Sequence, residues 1–233
     1  MDEILLILKK KKNVSKAKIT AGFFKTKKGE YGEGDIFWGI DVPFLREIEK
    51  KYFLQIDFLE IEFFLNQKIH ELRFLGVIFL VKKYQKEKNE KQKEKIVNFY
   101  LKNISHINNW DLVDVSAPKI LGDYFFSQDK KILYQLVKSK NLWERRIAIL
   151  ATLGFIRKNS FADTLKMAQI LLLDREDLIQ KAVGWMLREV GKKDQKILEE
   201  FLKKNKNQMA RTTLRYAIEK FSLEKRKKYL EKK

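Results

Sequence analysis

The chain has 233 residues, of which 50 are lysine or arginine and 31 are aspartate or glutamate, so its formal net charge is +19. Hydrophobic residues make up 45% of it, which is too many for a disordered polycation and ample for a buried core. Cysteine is absent, which excludes disulfides, thiolate metal sites and a cysteine nucleophile, and two histidines argue against a histidine metal cluster.

The excess of positive charge indicates a polyanionic partner. Lysine and arginine that neutralise phosphates release counterions, so nucleic acid is the first candidate. Lysine runs such as 86–95 interleave with acids, however, and are equally typical of a solvated helix face. Charge alone therefore leaves DNA, RNA and a membrane surface open.

The N-terminal stretch MDEILLILKKKK places acids before a short apolar run and lysines after it. This order is the reverse of a secretory signal. No apolar run approaches the ~20 residues that span a bilayer. We therefore expect a cytoplasmic protein with no membrane partner.

The segment 23–48, FFKTKKGEYGEGDIFWGIDVPFLREI, holds four of the ten glycines and one of the two prolines. Its glycines lack the preceding strand and the GK[ST] ending of a phosphate-binding loop. We predict an irregular loop over 23–42 that leads into a helix capped near Asp41, with Pro43 in the first turn.

Glycine and proline are otherwise scarce, which favours helices with short connections. From about residue 60 to residue 222 the apolar residues recur with a helical period. The predicted helices cover 69–84, 93–104, 130–140, 142–158, 161–173, 177–193, 194–205 and 209–221.

These segments pair, each strongly apolar helix following a more amphipathic one. The apolar helices begin at intervals of roughly 31 to 37 residues, as in two-helix solenoid repeats. Such repeats stack and leave an extended concave surface. The predicted fold is all-α, a helical-repeat solenoid in one domain over 1–233 with a short basic C-terminal tail. A non-repetitive helical bundle is the alternative.

Three tryptophans on the apolar helices have a charged residue one helical turn later, on the same face. The pairs are Trp110 with Asp114, Trp143 with Arg146, and Trp185 with Arg188.

Each residue taken alone has a commoner structural role. A tryptophan in an amphipathic helix usually belongs to the core, an arginine often pairs with a local acid, and Asp114 could cap a helix or form a surface salt bridge. In stacked repeats, however, the three pairs would line one groove, with Trp143 among its lining residues. Arginines suit phosphates, and indole faces attract cations. A carboxylate near phosphates needs a positive object, such as a cationic nucleobase.

Five fragments resemble the bacterial DNA alkylation repair family, the AlkD-like alkylpurine DNA glycosylases. They are WDLVD (110–114), LGDYF (121–125), LWERRIAIL (142–150), IQKAVGWMLRE (179–189) and ARTTLRYAIEKF (210–221). GEYGEGDIFWGI (29–40) is similar to the N-terminal loop of that family. The resemblance extends from about residue 15 to residue 222, in the same order and with similar spacing.

The resemblance implies HEAT-like repeats wrapped around duplex DNA through a concave basic face. It implies hydrolysis of the N-glycosidic bond of N3- or N7-alkylated purines, without metal or cofactor. The family's catalytic aspartate corresponds to Asp114, and its two lesion-flanking tryptophans correspond to Trp110 and Trp185. The arginine that contacts the DNA backbone corresponds to Arg146.

Other positions are implied more loosely. The N-terminal aromatic that lines the site is Phe23 or Phe24. Arg188 lies in a matching motif, with either a DNA-backbone or an interhelical role. Charge and position add Arg211 and Arg215 as phosphate contacts.

We therefore expect a monomeric, monofunctional glycosylase that acts on double-stranded DNA containing alkylated purines. No lysine stands out as an imine-forming nucleophile. Some relatives lack the aspartate, so a non-catalytic HEAT-like protein that binds damaged or branched DNA is the alternative. A helical scaffold for protein partners is a third interpretation.

Overall fold

The regular structure is helical throughout the described part of the chain. In a computed structural model that describes residues 1–231, these residues form fifteen α-helices, one 3₁₀ turn and no β-strand beyond an isolated bridge between Ile36 and Ile69. None of the helices in this range is long and apolar enough to cross a bilayer. The helices are α1 (Asp2–Lys10), α2 (Val14–Phe23), α3 (Val42–Tyr52), α4 (Phe58–Leu65), α5 (His70–Lys86), α6 (Glu90–Lys102), α7 (Trp110–Ser116), α8 (Leu121–Tyr124), α9 (Lys131–Leu136), α10 (Leu142–Arg157), α11 (Ala162–Ile170), α12 (Asp177–Lys193), α13 (Gln195–Asn205), α14 (Arg211–Ala217) and α15 (Leu223–Leu230).

The predicted all-α class is confirmed, and the long periodic segments coincide with α5, α6, α10, α12 and α13. The loop prediction is also close, because α3 begins directly after Asp41 and has proline in its first turn. The short basic tail predicted after residue 222 contains the helix α15, with the Ser222 hydroxyl accepting the Lys225 N–H at 3.3 Å. Lys232 and Lys233 lie outside the described residues.

Helix starts are set by short polar side chains that accept the first unpaired backbone N–H groups. Asp57 and Glu60 form a complete capping box at the start of α4. The other side-chain caps are Asn13, Asn89, Asn141, Asp194 and Ser222.

The chain divides into two compact units, Met1–Ser116 and Ala117–Lys233. The expectation of one repeat domain over 1–233 stays a prediction. In the first unit α5 is buried along most of its length, and α3, α4, α6 and α7 pack against it. In the second unit α10 is central, with α8, α9, α11 and α12 around it, and α12 also packs on α13 and α14.

A glycine pair sets the distance between α8 and α10 in the second unit. A Cβ atom on Gly122 would lie 2.2 Å from the Ala151 carbonyl oxygen, and one on Gly154 would lie 2.6 Å from the Gly122 carbonyl carbon. Such distances are far inside van der Waals contact. The glycine of the LGDYF fragment is thus required for packing.

The fourth residues of α5, α10 and α12 all form the same type of hydrogen bond. Each side chain donates to the backbone carbonyl six residues earlier, in the loop before its helix. The bonds run from Arg73 to Gln67, from Arg145 to Ser139 and from Gln180 to Asp174, over 3.0, 2.9 and 3.0 Å. These helices therefore begin in equivalent ways although their sequences differ, which is the structural form of repetition that their spacing predicts.

Arg145 also forms a largely buried ion pair, with Nε 2.7 Å from Asp174 Oδ2. Replacement of Arg145 by Met should lower the free energy of unfolding by about 2–4 kcal/mol, because it leaves the carboxylate and two loop carbonyls without their donor. Urea unfolding measures this loss. Arg175→Met is the control, since Arg175 is exposed and should change stability by less than about 0.5 kcal/mol. Equal losses in the two variants would contradict the anchoring role of Arg145.

Candidate functional site

Trp110 and Asp114 lie on α7, a short helix that begins at Trp110 itself. Leu112, Val113 and Ser116 form its buried side. The indole and the carboxylate are both half-buried and lie one turn apart, on the face that their spacing predicts. The carboxylate is thus held beside an aromatic surface by a helix fixed in the core of the first unit.

Both candidate phenylalanines at the end of α2 contact Trp110. The Phe24 ring is stacked on the indole, with centroids 5.0 Å apart and planes inclined by 9°. The Phe23 ring meets the indole edge-on at 5.9 Å. Phe24 is 8% exposed whereas Phe23 is 66% exposed, so the first supports the indole and the second presents an aromatic surface to solvent.

A buried histidine also contacts Phe24. The His70 ring is 4.8 Å from Phe24 and 4.7 Å from Phe37, measured between centroids. Its Nε2 is 2.8 Å from Asp111 Oδ2, and its Nδ1 is 3.2 Å from Asp35 Oδ2. Because a carboxylate can only accept, two such partners favour a ring that donates from both nitrogens, the imidazolium. Burial acts against that charge, but the hydrogen bonds to Asp111 and Asp35 outweigh it and raise the pKa of His70 to about 9.

Asp35, from the glycine-rich loop, gathers three donors. Besides His70 it accepts from Arg73 Nη2 at 2.5 Å and from Asn109 Nδ2 at 2.9 Å. Burial of Asp35 favours its neutral form, but these donors prevail and lower the pKa of its carboxyl group. Asn109 Oδ1 in turn accepts the backbone N–H of Trp110 at 2.8 Å. The loop is therefore tied directly to the start of α7.

A second buried carboxylate anchors the end of the same loop. Glu71, at the start of α5, accepts the backbone N–H groups of Trp38, Gly39 and Ile40 at 3.0, 2.7 and 3.2 Å. Gly39 has φ 74°, and a Cβ there would lie 2.3 Å from the Asn13 carbonyl oxygen, so only glycine fits. The second half of the loop predicted over 23–42 is thus held by ion pairs at Asp35 and by hydrogen bonds from Trp38–Ile40 to Glu71.

The sequence pattern did not predict this network of Asp35, His70, Glu71, Arg73 and Asn109. A signal was present, however. Three ionisable residues crowd the first turn of a helix whose middle is apolar, and such residues need partners when they are buried. Their partners are distant in the chain, which is why helical periodicity alone could not find them.

The second unit holds the remaining candidates, and two of them are buried. Trp143 is buried near the start of α10, as a core indole would be. Arg146 is 5% exposed, and its Nη1 donates to the Leu178 carbonyl oxygen at 2.6 Å. Trp185 is half-buried on α12, with Nε1 donating to Glu189 Oε1 at 3.1 Å. Trp185 is therefore the candidate indole of this unit with more surface to offer a ligand.

The three other candidate arginines differ in how many of their donors are already bonded within the chain. Arg188 forms an ion pair with Glu219, which joins α12 to the residues after α14 and fits the interhelical role. Arg211 is exposed and donates to the Leu230 carbonyl oxygen at 2.7 Å. Arg215 is also exposed, and within residues 1–231 no carboxylate pairs with it. Arg211 and Arg215 thus have the surface that contact with phosphate requires.

The first unit thus places a carboxylate beside a stacked indole in an all-helical fold. The family model described as DNA alkylation repair enzyme matches residues 4–221, so the chain belongs to the DNA alkylation repair enzyme family. Among curated proteins, none matches the chain.

Solved structures share the fold at low sequence identity. A predicted DNA alkylation repair enzyme from Enterococcus faecalis superposes with a TM-score of 0.72 at 19% identity, over 91% of this chain and 98% of that one. AlkD2 from Streptococcus mutans has a TM-score of 0.55 at 19% identity, over 76% of this chain and 89% of its own.

The buried histidine should make stability fall with rising pH. Its raised pKa means that the stabilising charge is complete below about pH 6.5 and is lost as the pH rises through about 9. The loss should amount to about 3 kcal/mol of unfolding free energy. Urea unfolding across this range should show the slope in the native chain and in His106→Gln, but not in His70→Gln. A slope that persists in His70→Gln would assign it to another group.

Proposed function

We propose that this protein is a DNA glycosylase that hydrolyses the N-glycosidic bond of N3- and N7-alkylated purines in duplex DNA. Membership of the DNA alkylation repair enzyme family supports the broad activity. The observation that carries the finer proposal is the Asp114 carboxylate one turn after the stacked indole of Trp110, in a chain of net charge +19. A carboxylate is a poor ligand for DNA phosphate and a good one for positive charge.

The aromatic surface of Trp110 suits a cationic base. Purines alkylated at N3 or N7 carry a formal positive charge, which an indole face attracts by about 0.5–2 kcal/mol. The exposed Phe23 extends the same surface. We propose Trp185 as a second lesion-contacting indole. Its side chain is half-buried, and its ring Nε1 is held by a hydrogen bond to Glu189. Selectivity then comes from the charge of the lesion.

The reaction needs one carboxylate. The bond from the purine to C1′ breaks, its electron pair neutralises the alkylated base, and positive charge develops on the sugar. The Asp114 carboxylate stabilises this charge and orients a water molecule that attacks C1′, and the proton of that water passes to the solvent. The products are the free neutral base and an abasic site. Because the base already leaves as a neutral molecule, neither a general acid nor a cofactor is required.

The arginines supply the contacts with the DNA backbone in this proposal. Arg211 and Arg215 are exposed and present forked donors that match phosphate. Arg146 and Arg188 already serve carbonyl or carboxylate partners, so their backbone contacts would use their remaining donors. Binding should weaken steeply with salt as phosphate counterions return to the DNA. The chain would act as a monomer in the cytoplasm.

Replacement of Asp114 by Asn should slow release of 7-methylguanine from methylated duplex DNA by about 100-fold or more, because it removes the charge that stabilises the sugar cation. Single-turnover release measures the rate, and a gel shift checks that DNA binding persists. Asp129→Asn is the matched control, since Asp129 is exposed and its Oδ1 accepts the Lys131 backbone N–H at 2.9 Å. Binding without release by the native chain would favour a non-catalytic DNA-binding protein, and equal release by both variants would refute the role of Asp114.

Replacement of Trp110 by Leu should slow the same release by about 10-fold, the value of one cation–π contact. Trp38→Leu is the control indole, because the ring of Trp38 is half-buried beneath Lys12, with Nζ 4.0 Å from its centroid. Uracil, a neutral base, should stay at background release in every variant. Efficient release of uracil would contradict selection by charge, and a borohydride-trapped DNA adduct would contradict a monofunctional enzyme.

A further inference from the structure

We propose that His70 is a positioning residue for base release: it keeps the Phe24 ring stacked on Trp110, so that the aromatic surface beside Asp114 stays fixed. The proposal rests on the proposed function for its kinetic consequence, although its structural part stands without it. His70 is 3% exposed, so it acts through its neighbours. Neither the fold class nor the proposed reaction assigns it a role.

Ring contacts form the first link from His70 to the indole. The imidazole contacts both Phe37, inclined by 25° at 4.7 Å, and Phe24, inclined by 47° at 4.8 Å, and these two phenyl rings also contact each other at 5.0 Å. Phe24 stacks with its neighbour Trp110 at 5.0 Å. A cationic ring attracts aromatic faces more strongly than a neutral ring does. The position of Phe24 under the indole therefore depends on the charge of His70.

Hydrogen bonds form the second link and reach the backbone of Trp110 from both sides. Asp111, which holds His70 Nε2, is the residue directly after Trp110. Asp35, which holds His70 Nδ1, also binds Asn109, whose Oδ1 accepts the Trp110 N–H. His70 thus fixes the residues on either side of the indole.

The charges in this cluster balance only while His70 is protonated. The charged groups that face the ring are Arg73 on its own helix, Asp35 from the loop and Asp111 from α7, whereas Phe24 and Phe37 are neutral. Two carboxylates then face two cations. A neutral imidazole donates from one nitrogen, so either Asp35 or Asp111 would lose its hydrogen bond from the ring. Two buried carboxylates would then face the single cation Arg73, and such an imbalance of buried charge is costly.

Loss of the proton should therefore release α7 from the loop and disturb the stack of Phe24 on Trp110. Contact with undamaged DNA should not change, because His70 lies beneath the surface. A displaced aromatic surface would slow the chemical step, since small misplacements of reacting groups are expensive. The pH dependence of release is the signature that separates this role from a general stabilising one.

The first test needs no DNA. The chain has two histidines, so the ring signals of His70 are assigned by comparison with His106→Gln in a histidine-labelled sample. His70 should titrate near pH 9, and the near-ultraviolet circular dichroism that is lost in Trp110→Leu should change with the same midpoint. Titration of His70 at or below the ordinary value of 6.5, or a Trp110 signal that ignores it, would overturn the proposal.

The second test is single-turnover release of 7-methylguanine as a function of pH. The rate for the native chain should hold to neutral pH and fall with a midpoint near 9. His70→Gln should be slower by about 10-fold at neutral pH, without that alkaline fall and with unchanged affinity for undamaged duplex. His106→Gln should keep the native profile.

The native profile keeps the test decisive if His70→Gln fails to fold, and Asp111→Asn provides a second variant that removes one partner of the ring. A native rate that stays level beyond pH 10 would overturn the kinetic role. If the native chain releases no 7-methylguanine at any pH, the proposed function fails instead. The histidine titration and the Trp110 signal would then still decide whether His70 positions the aromatic surface.

Discussion

The geometry of the candidate site depends on one buried ionic cluster, in which His70 lies between Asp35 and Asp111. Buried charges are tolerated only when they are paired and hydrogen-bonded, and here every carboxylate oxygen that faces the ring has a donor. The cluster joins a loop, the start of α5 and the start of α7. A glycine-rich segment that would otherwise be free to move becomes a fixed support for Phe24 and the indole above it.

The chemistry of the site depends on which side chains of α7 this cluster engages. The two aspartates of WDLVD have different environments although they lie on one short helix. Asp111 is committed to His70, whereas Asp114 lies one turn after the indole. In the proposed function, Asp114 is the carboxylate that meets a cation bound on Trp110. The chain is strongly basic and belongs to the DNA alkylation repair enzyme family, and the cation we propose at this position is an alkylated purine that leaves its sugar.

Helix periodicity predicted the fold well because long apolar stripes fix the helix and its buried face together. It placed α5, α10 and α12 within a few residues. It did less well where helices are short or exposed. No residue of α2 is buried, and α15, read as a basic tail, is held by its cap and by packing of Tyr229 on Phe221. Such helices carry little apolar signal.

The sequence by itself determined the helical class, the position of the loop, and the pairing of Trp110 with Asp114, because each depends on local spacing. Only the tertiary structure decided which residues support that pair. Asp35 meets His70 across 35 residues and Asn109 across 74, and no local pattern encodes such contacts. It also decided that Arg146 is buried while Arg215 is exposed, since burial of a charged side chain depends on partners that folding brings together.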